Sequence, residues 1–200
     1  MIRSSGTVGT PTSRHFSLAV PFKLEGLAFS LKTFAAAMLA LVISYWLEVK
    51  EPQWSVLTAY LVAQPLVGAV WAKGAFRLAG TVCGAVFAVL CVGLFAQAGP
   101  LFILAMALWL AFCAYGATLA RNYASYGFAL AAYSASLIGF GSVTTPDLVW
   151  NMAVDRTTEV ALGIVCVGLV HAMVLPRYAG AALSAALAST FASLARYAAI

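Results

Sequence analysis

The sequence predicts an all-α integral membrane protein of six transmembrane helices, with both termini in the cytoplasm. Composition, the spacing of apolar runs and the distribution of cations each point there. Of 200 residues, 64% are hydrophobic and 8% charged, with a mean hydropathy of +0.97. A water-soluble fold of this length cannot hide so much apolar surface, so the bilayer is its solvent. The apolar residues fall into six blocks, each long enough for a helix to cross ~30 Å of hydrocarbon. With a cytoplasmic amino terminus, that side collects Arg3, Arg14, Lys23, Lys32, Lys73, Arg77, Arg121, Arg177 and Arg196, leaving Lys50 and Arg156 opposite. Such a bias is the positive-inside signature. It also accounts for the net charge of +5 without any nucleic acid.

Residues 1–22 are rich in Ser, Thr, Gly and Pro and lack the apolar core of a secretion signal, so a disordered cytoplasmic tail is expected. The transmembrane domain is assigned to residues 23–176. Its first span covers 29–47, with Lys32 close enough to the end to snorkel. A loop follows at 48–53, and Pro52 suits a first helical turn, where its missing N–H does no harm. The second span, 54–71, carries Gln64 and Pro65 at mid-depth, and a proline there predicts a kink or break. The third is 78–98. Gly99-Pro100 turns the chain into the fourth, 101–120, and Arg121-Asn122 into the fifth, 123–140, which is polar for lipid through Tyr126, Tyr133, Ser134 and Ser136. The sixth begins at Thr145-Pro146-Asp147 with Thr145 as N-cap and runs to 175, where Pro176 stops it. That is ~45 Å, longer than a bilayer core, and its first half bears Asp155, Arg156 and Glu159. Residues 177–200 read as the start of a cytoplasmic helix with a stripe of Leu183, Leu187, Phe191 and Leu194. It ends without a capping signal, so the native protein is expected to continue or another chain to cover the stripe.

The stretch from Lys73 to Gly84, KGAFRLAGTVCG, concentrates the informative residues. Gly80 and Gly84 form a Gly-x-x-x-Gly step, the spacing that lets helix backbones approach closely in lipid. Arg77 stands seven residues before Gly84, and Arg156 seven before Gly163. Each pair opens the third helix of a three-helix half, which suggests a 3+3 inverted repeat of the transporter kind. The four cysteines lie in apolar runs without Cys-x-x-Cys or Cys/His spacing, and the two histidines are isolated. No metal, disulfide or cofactor is expected, and no nucleophile elbow, phosphate loop or carboxylate pair suggests an enzyme.

Several blocks together resemble a known family. They are Leu31-Lys32-Thr33-Phe34, Glu51-Pro52-Gln53-Trp54, the run from Tyr60 to Gln64-Pro65, Lys73-x-x-x-Arg77-Leu78-Ala79-Gly80-Thr81-x-x-Gly84, and Arg156-x-x-Glu159-x-x-x-Gly163-Ile164. In order and spacing they resemble the fusaric acid resistance or aromatic acid exporter family across most of the chain. The resemblance implies an efflux component of the bacterial inner membrane for aromatic carboxylic acids, driven by the proton gradient and working beside a periplasmic membrane-fusion protein. Full-length members add a cytoplasmic domain and a second membrane half. The resemblance therefore implies a homodimer or a partner half for these 200 residues. At the level of fold, the unit is also similar to plant malate channels.

Within this frame the substrate path is assigned to Arg77, Arg156, Gln64, Pro65 and Tyr133. Arg77 has two readings, pore residue or cytoplasmic anchor, and the pore is favoured because Lys73 already anchors that end. Arg156 lies where topology calls for no cation, and its bland reading is an ion pair with Glu159 on the same helix face. Glu159 is the candidate proton carrier. Gln64 and Pro65 either expose backbone to substrate or simply bend a helix. Tyr126, Tyr133 and Trp54 suit aromatic stacking, packing or an interfacial belt equally, and His171 reads as a buried polar contact. Gly80, Gly84 and Gly163 are the helix-packing residues. Two alternatives to a transporter stand beside it: a passive organic-anion channel, and a non-transporting scaffold that binds a partner through the Gly80/Gly84 face and the stripe after Pro176.

Overall fold

In hydrocarbon a helix satisfies its backbone N–H and C=O groups within one segment, which long apolar runs require. The computed structural model describes residues 24–174 and 179–198, and among these there is no strand. Its helices are α1 (Leu24–Trp46), α2 (Gln53–Val62), α3 (Val67–Phe95), α4 (Gly99–Leu119), α5 (Tyr123–Ser142), α6 (Val149–Met173) and α7 (Ala179–Ala198), with a 3-10 turn at Pro146–Leu148. The expected tail at 1–22 and the stop at Pro176 lie outside the described residues. Among the described residues, three segments are long and apolar enough to cross a membrane: Gly26–Trp46 in α1, and all of α3 and α4. The 20 residues of α5 and 25 of α6 have the length, roughly 30 and 38 Å, but exchange aliphatic for polar side chains. The protein is a multi-pass membrane protein.

The second crossing departs from expectation. Residues 54–71 are not one helix, because α2 stops at Val62 after 10 residues. Ala63 and Leu66 adopt extended ψ values of 129° and 130°. Pro65 has no N–H to donate and steers Gln64 away from helical backbone, so of the expected kink or break it is a full break that occurs. The next helix starts at Val67, not at 78, and runs 29 residues through Lys73 and Arg77. Those two cations therefore sit inside α3 rather than at its opening. The sixth helix is also shorter than expected. Thr145 makes no side-chain cap, and the 3-10 turn closes by Leu148 N–H donating to the Thr145 carbonyl at 3.0 Å before α6 begins.

Small residues set the packing around α3, whose most extensive neighbour is α5, followed by α6. A side-chain carbon on Gly80 would run into the Gly127 carbonyl, and one on Gly84 into the Ala131 carbonyl, with Ala135 N at 2.9 Å. The Gly80/Gly84 face is thus closed by α5 within the chain. It is not the free surface expected to receive a second copy or a partner. Trp71 covers Gly168 and Gly74 meets Ile164, so α3 and α6 run antiparallel and the 63–66 elbow falls near the last turns of α6. Gln64 and Pro65 accordingly sit toward one end of the bundle, not midway along a helix.

Two apolar cores result. Ala36, Ala59, Val62, Val70, Val160, Ile164 and Val167 join α1, α2, α3 and α6. Ala88, Val92, Phe102, Met106, Ala135 and Ile138 join α3, α4 and α5 at the other end. In α7, Leu187, Phe191 and Leu194 are exposed.

Candidate functional site

Between the two cores the helices meet over charge. Among the described residues the buried ionised side chains are Arg77 (3% exposed), Arg156 (5%) and Glu159 (2%). Counted among the buried groups alone, two cations face one carboxylate, with the exposed Glu51 carboxylate adjoining them through Trp54. Burying ions is costly even when they are paired, so this arrangement is built at the expense of stability.

Arg156 and Glu159 are one helical turn apart on the buried face of α6. Their contact is loose: Arg156 Nη1 stands 3.8 Å from Glu159 Oε2, an ion pair without a hydrogen bond. Arg156 Nε and Nη1 are buried with no hydrogen-bond partner. Aromatic faces hold the guanidinium instead, with Cζ 3.7 Å from the Trp54 ring centroid and 5.7 Å from that of Tyr133. Trp54 in turn donates its indole N–H to the Glu51 carboxylate.

Glu159 is held by the first turn of α2 and the chain just before it rather than by Arg156. The Glu51 backbone N–H donates to Glu159 Oε1 at 3.3 Å, and Ser55 Oγ donates to the Glu159 carbonyl at 3.0 Å. Gly163 permits this approach, since a side-chain carbon there would lie 2.5 Å from the Ser55 carbonyl oxygen and 2.7 Å from Thr58 Cβ. Arg77 reaches the same region from α3. Its Nη1 donates to Tyr126 Oη at 2.6 Å and its Nη2 to Thr58 Oγ1 at 3.2 Å, while Nε has no partner. No carboxylate pairs with Arg77 among the described residues.

A cavity of about 390 Å³ adjoins this cluster, within the range of sites for small organic molecules. One wall is polar, with Arg156, Glu159, Glu51, Lys50 and Asp155. The other is apolar, with Leu137, Ile138, Gly141 and Met152, and Trp54 joins the two. Lys50 and Asp155 form an ion pair of 2.6 Å at its rim, with side chains 67% and 35% exposed.

The structure brings together Arg77, Arg156, Glu159 and Tyr133 of the expected site residues, and adds Trp54 and Tyr126 as their direct partners. The two arginines do not mark opposite ends of a path; both belong to one cluster, joined through α2. Gln64 and Pro65 lie apart from it in the elbow. His171, also apart, is buried with Nδ1 3.0 Å from the Val167 carbonyl oxygen and its ring against Phe29. Sequence reasoning missed Thr58, whose signal was its place one turn after Trp54 on α2. It also missed Lys50, the one cation in the loop facing α6. Among the described residues no group of three or more His, Cys, Asp or Glu is placed to hold a metal ion.

These features define a class: a multi-pass helical membrane protein with a net-positive, aromatic-flanked cluster buried beside a cavity. Residues 26–200 match the pattern of the Fusaric acid resistance protein family, and the chain belongs to that family. It is similar to the Escherichia coli K12 protein named "Uncharacterized transporter YdhK", 35% identical over 175 residues, or 86% of this chain and 26% of the relative. It is also similar to proteins named "p-hydroxybenzoic acid efflux pump subunit AaeB" from Musicola paradisiaca (33% over 160 residues) and Yersinia enterocolitica serotype O:8 (34% over 160 residues). Each of these alignments covers 76% of this chain and 25% of the relative. The chain thus spans about a quarter of the length of the relatives it matches.

Proposed function

We propose that this chain forms a membrane half of an inner-membrane efflux transporter for aromatic carboxylates or related organic anions. The observation that carries the reading is the excess of buried arginines over buried carboxylates, Arg77 and Arg156 against Glu159. An anion entering the cluster would neutralise it and supply acceptors for the unpartnered nitrogens of Arg156. A guanidinium matches a carboxylate with two parallel hydrogen bonds, which a lysine cannot do. The apolar wall of the cavity suits a flat hydrocarbon body behind that carboxylate. The printed names of the relatives favour the same class, and p-hydroxybenzoate is the natural test substrate.

In this reading Glu159 carries the coupling proton, both termini are cytoplasmic, and six crossings are completed by the broken α2 segment. The halves are related by inversion. Gly84 of α3 packs on α5 of the other half, as Gly163 of α6 packs on α2. A second copy or second half completes the transporter, with a periplasmic membrane-fusion protein as its partner.

The test is uptake of radiolabelled p-hydroxybenzoate by liposomes holding the purified chain, with and without an imposed pH gradient. Gradient-dependent flux that falls in Arg156→Lys and vanishes in Arg156→Glu is the expected result. Flux indifferent to the gradient identifies a passive channel. No flux above protein-free liposomes, at equal protein content, favours the scaffold.

A further inference from the structure

Glu51, Trp54, Arg156 and Glu159 form a closed ring of contacts. Glu51 accepts the Trp54 indole N–H through its carboxylate. Arg156 Cζ sits over the Trp54 ring, 3.7 Å from its centroid. Arg156 faces Glu159 at 3.8 Å, and Glu159 returns to the Glu51 backbone N–H. Glu51 alone touches both sides of the ion pair, once through each kind of group it owns.

The consequence is a guanidinium kept unsaturated. Glu159 neutralises Arg156 electrostatically, but the Glu51 N–H holds Oε1 and leaves Oε2 beyond hydrogen-bonding distance of Nη1. On the other side the Trp54 ring holds the guanidinium by a cation–π contact, which supplies it with no oxygen acceptor. Fixing the indole therefore fixes where the Arg156 guanidinium sits in the cavity wall. We infer that Glu51 is a positioning residue for anion binding, acting on Arg156 through Trp54. It makes no ion pair with Arg156 and need not touch the anion itself. This inference rests on the anion reading of the site and adds to it the residue that orients the binding arginine.

The test is a double-mutant cycle on the whole 200-residue chain in detergent, with benzoate binding measured by titration calorimetry. Glu51→Ala removes the acceptor of the indole N–H and should weaken benzoate binding about tenfold, the weight of a hydrogen bond to a charged group. Glu51→Gln keeps an acceptor oxygen and should recover most of that loss. Trp54→Phe keeps a ring over Arg156 but has no N–H, and in that background Glu51→Ala should cost less than about twofold. A Gln variant as weak as the Ala variant overturns the inference, because charge rather than the indole bond would then be responsible. So does a full Glu51→Ala effect in the Trp54→Phe background. If Trp54→Phe cannot be recovered folded, the comparison of Ala with Gln at Glu51 still decides. Wild-type protein that binds no benzoate removes the anion reading, and this inference with it. Wild-type binding with a flat cycle removes this inference alone.

Discussion

The imbalance of buried charge makes an unusual prediction about stability: the lone buried carboxylate matters more than the arginine that lacks one. At 3.8 Å and an effective dielectric constant of about 20, the attraction of Glu159 for Arg156 is about 4 kcal/mol. Glu159→Gln preserves shape and can still accept the Glu51 N–H, yet leaves Arg77 and Arg156 buried with no anion. Breaking such a pair by removing one partner costs about 3–5 kcal/mol, or two to four decades in the folding equilibrium. Arg77→Met works in the opposite sense. It forfeits hydrogen bonds to Tyr126 and Thr58 but removes the unpaired cation and its desolvation penalty, so a cost below about 2 kcal/mol is expected. The double variant Glu159→Gln/Arg156→Met returns the cluster to a single positive charge, and should recover at least half of the loss caused by Glu159→Gln. The measurement is unfolding in mixed micelles by added SDS, followed by far-UV circular dichroism. Arg77→Met proving more destabilising than Glu159→Gln would refute the reasoning, since the cluster could not then carry an excess of buried positive charge.

Further outcomes follow from other parts of the molecule. Gly84→Ala should destabilise by about 1–3 kcal/mol, because its new carbon meets backbone of α5 rather than a movable side chain. Gly93→Ala, in the same helix with nothing within 4 Å, should be neutral or slightly stabilising in the same SDS titration. Single cysteines at Gln53, Gln97 and Asp147, all exposed, should react with an impermeant maleimide from the periplasm in a cysteine-free background, while one at Asn122 should not; the reverse pattern would invert the proposed orientation. Lys50→Met should change stability by no more than about 1 kcal/mol, because its pair with Asp155 is solvent-exposed. Flux of p-hydroxybenzoate through the Lys50→Met variant should nonetheless become less sensitive to added salt, as the rim loses a charge that attracts anions.

Much of the site could be read from the sequence, but not its assembly. Arg156 and Glu159 were legible as a pair because spacing of three on a helix fixes their common face. The small residues Gly80, Gly84 and Gly163 were legible as close-approach points. Which helix approaches them was not, since a glycine carries no record of its partner. The two arginines were placed at separate ends because hydropathy put a helix start at 78. Once the break at Gln64-Pro65 starts α3 at Val67, Arg77 lies ten residues inside it. Hydropathy cannot see that break, because Leu61-Val62 and Leu66-Val67 are equally apolar on either side. The Glu51 contact with Glu159 was invisible for a different reason: its donor is a backbone N–H, which every residue but proline owns.

The short second helix and the charge cluster are parts of one construction. In a continuous crossing, the backbone N–H groups level with Glu159 would all be engaged in their own helix. Only the first turns of a helix, and the chain just before it, leave such donors free. Because α2 begins at Gln53, beside Glu159 rather than at the end of α6, the Glu51 N–H reaches the Glu159 carboxylate and the Ser55 hydroxyl reaches its backbone carbonyl. The positive end of the α2 dipole faces the same cavity and reinforces its preference for negative charge. The extended 63–66 segment carries the chain on to α3 after those 10 helical residues. A helix that starts beside Glu159, directly after the exposed Lys50-Glu51 segment, is what holds Glu159 close to Arg156 without saturating it.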